Sequence, residues 1–141
     1  MAKRSDQRRD AAFAVYQAEL NGRELNDVLD GKASAYTRAL AHAAADLAPE
    51  LDDTIAYHAQ GWTIERIAPL EKAIMRVALV EMLHPDAVPA DVPITPQGAV
   101  AEAVKTTKTY AGEKSPSFVN GILAAVLRDM REPEQSKDPA A

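Results

Sequence analysis

The chain has 141 residues, 47% of them hydrophobic and only 5% aromatic, with a formal net charge of −5 and no cysteine. A single core of this size hides roughly two thirds of the unfolded surface; the acidic balance excludes a uniformly basic nucleic-acid wrapper, and the lack of cysteine excludes disulfide staples, thiolate zinc sites and cysteine nucleophiles. The opening MAKRSDQRRD lacks a signal-peptide apolar stretch, and the longest apolar run, residues 73–82, is broken by Arg76 and Glu81 and too short for a bilayer, so a soluble, cytoplasmic protein without membrane association is expected.

Alanine-rich composition and scarce β-branched runs predict an all-α fold. Ala12, Phe13, Val15, Tyr16 and Leu20 recur at three-to-four spacing, which predicts a first helix over 8–20, stopped by Asn21-Gly22. Residues 1–7 read as a basic flexible arm ahead of it. A short amphipathic segment over 24–29 follows, then a long helical stretch over 34–60 with Ser34 as its cap; Pro49 either kinks that helix or begins a new one. One turn over 63–67 feeds Pro69, which suits the first position of a helix because its missing N–H has no partner there anyway.

The segment PLEKAIMRVALVEMLH is apolar on nearly every face and belongs in the middle of a bundle. Four prolines make 85–96 an extended connector with no helix of its own. Helix resumes over 96–110 with Ala99, Val100, Ala103 and Val104 inward, and after a loop at Gly112 a last helix runs from near Pro116 to Arg131 on the stripe Phe118, Val119, Ile122, Leu123, Val126 and Leu127. Residues 132–141 lack periodicity and read as a disordered tail, leaving one helical domain over 8–131 with no internal repeat.

Chemistry-bearing motifs are few. His42, His58 and His84 lack metal-site spacing, and no glycine-rich phosphate loop or nucleophile elbow occurs. No enzyme, metal or cofactor is expected. Two basic groups stand out in an acidic chain. Lys3, Arg4, Arg8 and Arg9, set against Asp6 and Asp10, are either a solvated terminus or an arm that neutralises phosphates and releases counterions. Lys105, Lys108 and Lys114 bracket the loop before Phe118.

Three stretches, RRDAAFAVYQ, LEKAIMRVALVEML and AVAEAVKTTKTYAGEKSPSFVNGIL, resemble in order and spacing the NusB family, with its E-K-A-x-x-R-x-A-x-x-E central helix and its F-V-N-G opening of the last helix. Tyr36, Arg38, Asp52, Ile55 and Trp62 also fall where that family has similar residues. The resemblance implies a bundle of about seven helices in two packed subgroups. It further implies a transcription antitermination factor that binds boxA-type single-stranded nascent RNA with NusE, a ribosomal protein, in the RNA polymerase antitermination complex, and so promotes ribosomal RNA transcription. By the same resemblance Lys3, Arg4, Arg8 and Arg9 hold phosphates, Phe118 and Asn120 lie beside the RNA, and Tyr16, Glu71, Arg76 and Glu81 sit at or near the partner surface. For Phe118, base stacking and core packing are equally open; for Arg76 an internal salt bridge is favoured; Gly121 suggests close backbone approach.

The sequence departs from the family pattern where Ala101-Glu102 replaces an N-E pair and PITPQG intervenes before it. Two other readings stay open: a helical interaction module that homodimerises or binds a protein without RNA, and a stand-alone relative of the RNA-binding domain of ribosomal RNA methyltransferases. The second is disfavoured because no methyltransferase segment follows.

Overall fold

The computed structural model describes residues 3–132; the expected tail from 133 onward lies outside them. Among the described residues there are seven α-helices: α1 (Arg4–Asn21), α2 (Leu25–Val28), α3 (Ala35–Asp46), α4 (Ala48–His58), α5 (Pro69–Leu83), α6 (Pro96–Tyr110) and α7 (Ser115–Arg131). The all-α bundle expected from composition is what forms, and no described helix is long and apolar enough to cross a membrane.

Local chemistry explains most boundaries. Gly22, at φ 62°, closes α1 in the left-handed region, with backbone N–H groups of Gly22 and Arg23 reaching back to Glu19 and Ala18. Ser34 caps α3 by accepting from the Thr37 N–H at 3.0 Å, and Thr95 caps α6 by accepting from the Gly98 N–H at 3.0 Å. The long stretch predicted over 34–60 is two helices. Leu47, at φ −95° and ψ 7°, ends α3 and begins α4, and Pro49 sits in the first turn of α4 where a proline is tolerated.

Two expectations need correction. The first helix begins at Arg4 rather than residue 8, so Arg4 to Gln7 are helical and not a flexible arm. The proline-rich connector holds a 3₁₀ turn at Pro85–Ala87, matching the one at Ile64–Arg66. Leu20, one of the apolar residues whose spacing predicts the first helix, is 56% exposed, since the buried face of α1 is made by the small residues Ala11, Ala12, Ala14 and Val15.

Helix α5 is the axis. It is buried continuously from Ala73 to Met82 and packs against α1, α3, α4, α6 and α7. On one side α1 and α3 pack together with α2; on the other α6 and α7 pair, with α4 bridging α3 to α7. Leu40, Leu51, Ile55, Met75, Leu79 and Leu123 fill the shared core.

Candidate nucleic-acid and partner surface

The N-terminal cations divide according to helix geometry. Neighbouring helical residues point about 100° apart and do not share a face, so Arg8 and Arg9 diverge. Arg8 turns inward: its Nε donates to Glu81 Oε1 at 2.7 Å, one terminal nitrogen to the Tyr36 hydroxyl at 3.1 Å, and the other reaches Glu102 Oε1 at 3.5 Å. The Tyr36 hydroxyl donates in turn to Glu81 Oε2, and the Ser5 hydroxyl to Glu102. Burial opposes the Arg8 charge, but the hydrogen bond and charge of Glu81 outweigh it and raise the Arg8 pKa. Burial, joined by the bond to Glu81, pushes the Tyr36 phenol up to about 12. The expectation that Arg8 is an exposed arm residue is therefore corrected: its side chain is 13% exposed.

Arg9 faces outward. It pairs with Asp10 at 3.0 Å and Asp6 at 3.2 Å, and the Asp10 bond together with the Tyr110 hydroxyl holds its pKa above the usual value. Lys3 and Arg4 are exposed, with the Arg4 guanidinium 4.0 Å above the Tyr36 ring. Tyr110 also meets Phe13 edge to face at 5.0 Å, so the end of α6 lies against the exposed side of α1. Lys105, Lys108 and Lys114, on α6 and the loop after it, are exposed.

Phe118, in the first turn of α7, is half-buried, and its ring packs edge to face on Trp62 at 5.4 Å. Asn120 is exposed. Gly121 is not a point of close approach, as its backbone had suggested: a Cβ there would meet nothing within 4 Å, because the residue lies on the outer face of α7.

The four partner-surface candidates also divide. Tyr16 is partly buried against the core, and Glu71 stands half-buried in the first turn of α5, where the helix dipole favours a carboxylate. Arg76 and Glu81 are 5% exposed each and belong to internal networks, since both project from a helix enclosed by five others. Arg76 grips both Asp52 oxygens at 2.7 Å in a bidentate pair and donates to Glu19 Oε2 at 2.7 Å. Glu19 also lies 3.7 Å from Lys72, so the like-charge pair Lys72 and Arg76 is relieved by a carboxylate of α1. Burial opposes ionisation of Glu19, but the Arg76 contact prevails and lowers its pKa.

The histidines take separate partners: His42 meets Asn26, His58 meets Asp129 at 2.7 Å, and His84 meets Glu50 at 2.9 Å. Sequence reasoning missed the convergence of Ser5, Tyr36 and Glu102 on Arg8 and of Glu19 on Arg76. No linear signal links residues 73 or 57 positions apart; the one clue was a charged residue on each side of an otherwise apolar helix, which demands buried partners.

Residues 5–128 match the family model described as the NusB family. A transcription antitermination protein NusB of Symbiobacterium thermophilum is 40% identical over 105 residues, 74% of this chain, and the chain spans 65% of that relative's length. Among solved structures, T. maritima NusB aligns with a TM-score of 0.77 and 26% identity, covering 91% of this chain and 92% of that one. A structure of the antitermination factors NusB and NusE in complex with double-stranded RNA shares the fold at a TM-score of 0.74 and 24% identity, over 89% of this chain and 96% of that one.

Proposed function

The chain belongs to the NusB family, and from that premise we propose that it is a cytoplasmic transcription antitermination factor that binds boxA-type single-stranded RNA together with NusE and promotes ribosomal RNA transcription within the RNA polymerase antitermination complex. It acts by binding, and no reaction is assigned to it. The observation that carries the reading is local clustering of cations on an acidic molecule: Lys3 and Arg4 are exposed at the opening of α1, and on another face of that helix the partly exposed Arg9 is joined through Tyr110 to the end of α6, which carries the exposed Lys105 and Lys108. Local clusters of cations give phosphate affinity without making the whole protein basic. Arg8 supports them from behind by locking α1 onto Glu81 and Glu102. Phe118 and Asn120 border the RNA at the opening of α7.

For NusE, Tyr16 and Glu71 are the accessible contacts, while Arg76 and Glu81 hold α5 in place behind them. The structure of NusB and NusE in complex with double-stranded RNA shares this fold.

Titration with a boxA oligonucleotide at several salt concentrations tests the proposal. Three to five phosphate contacts to a single strand predict a log-log slope of about −2 to −4, and NusE in the same tube tightens binding. A flat salt response, or equal affinity for a scrambled sequence, overturns specific RNA recognition and leaves the protein-interaction module, whose signature is capture of NusE or self-association with no RNA present.

A further inference from the structure

We propose that Trp62, braced by Phe118 and edged by Arg66, is a stacking platform for one unpaired base of the bound RNA; this rests on the RNA-binding reading above. The chain has a single tryptophan, and the residue is 46% exposed in the segment between α4 and α5. Covering apolar indole surface is favourable at about 25 cal/mol per Å2, so a flat ligand laid on it gains from the contact.

The neighbours indicate what. Phe118 meets the indole edge to face at 5.4 Å and 65°, so it presents its own ring to Trp62 rather than to solvent and ties the indole to the opening of α7. The exposed Arg66 guanidinium lies 5.6 Å from the indole centroid, near the outer limit of about 6 Å for a cation–π contact. It is loosely held and free to share the ring with an incoming base or to swing to the adjoining phosphate. Lys114 stands one turn before Phe118, where its carbonyl accepts the Phe118 N–H.

Charge favours the face of a base over a dense set of phosphates. Arg66 and Lys114 are matched by the exposed Glu65 and Glu113 beside them in the chain, so the patch is nearly neutral. Size favours a base over a protein, because one indole braced by a half-buried phenyl is far smaller than the roughly 800 Å2 per partner of a standard protein interface. Stacking tolerates any base, since each has a π face.

Because Trp62 is the only tryptophan, selective indole excitation of the full chain reports this position alone. The expected result is quenching by a boxA-type oligonucleotide that saturates at the same Kd as anisotropy of the labelled RNA. Trp62→Ala weakens binding about five- to a hundredfold with the salt slope unchanged, since no phosphate contact is lost, and Trp62→Tyr retains most of the affinity. Circular dichroism confirms the fold of each variant. RNA binding with unaltered emission and an unaltered Kd for both variants overturns the platform while leaving the proposed function standing. Failure of the wild-type chain to bind RNA by anisotropy overturns both.

Discussion

Arg8 and Arg9 are adjacent in sequence and opposite in physics. Removing Arg8 leaves Glu81, 5% exposed, without its cation, and breaking such a pair costs more than its formation contributes. Arg8→Ala is expected to lower unfolding free energy by about 2 to 3 kcal/mol in denaturant titration, less than for a wholly buried pair because the arginine keeps some solvent. Arg9→Ala, whose carboxylates are surface groups, changes stability by no more than about 0.5 kcal/mol and weakens RNA binding. Equal stability losses in the two variants would show that the inward network does not hold α1. Tyr36 offers a spectroscopic check on the same network. Its folded pKa is raised to about 12 from 10.0, so its contribution to stability is complete below pH 10 and vanishes as pH rises toward 12. The phenolate absorbance that Tyr36→Phe removes from an alkaline titration should be centred near 12; a centre near 10 refutes the buried bond to Glu81.

Helices end here where backbone chemistry makes continuation costly, and the costs are measurable one cap at a time. The Ser34 oxygen accepts one of the orphan N–H groups that open α3, so Ser34→Ala is expected to cost about 1 kcal/mol with an unchanged denaturant m-value. Helix α7 gives the opposite sign. Gly121 lies within it, outward and with open space around it, and Gly121→Ala should therefore stabilise the protein by about 0.5 to 1 kcal/mol through reduced unfolded-state entropy. A destabilised Gly121→Ala protein would mean that α7 packs against something at that face. Gly98 differs: a Cβ there would come within 2.9 Å of the Ile94 side chain, so the glycine lets the proline-rich connector fold tightly against the start of α6.

At the scale of the molecule, α5 couples the two halves, and charge pins it from both sides: Arg8 of α1 meets Glu81, while Arg76 meets Asp52 of α4 and Glu19 of α1. These pairs give the apolar core orientation rather than bulk stability, since buried pairs repay their desolvation only when well aligned. Acid should therefore loosen the α1–α5 contact. Glu19 has a lowered folded pKa, so its contribution is complete above the ordinary glutamate value near 4.5 and is lost as pH falls through the lower folded value. Stability measured against pH for wild type minus Glu19→Gln should shrink below about pH 4.5; a difference that stays constant down to pH 3 rejects the Glu19–Arg76 linkage as its source.

The helical class, the central helix over 69–84 and the start of α6 at Pro96 were legible in the sequence, because periodicity, proline at a first turn and glycine at a stop are local properties of the backbone. So was family membership, through the ordered stretches around Arg8, Glu71 and Phe118. The division of the stretch over 34–60 stayed open, since a proline in a helical pattern allows either a kink or a fresh start, and the structure takes the second, with Leu51 and Ile55 of the new helix packed into the core. Whether a charged residue is a surface contact or an internal strut depends on what lies across from it. Arg8, Arg76 and Glu81 share their residue types with true surface groups; only the enclosure of α5 by its neighbours turned them inward, while Arg4 and Trp62 face the solvent and Arg9 lies at the surface between its carboxylates.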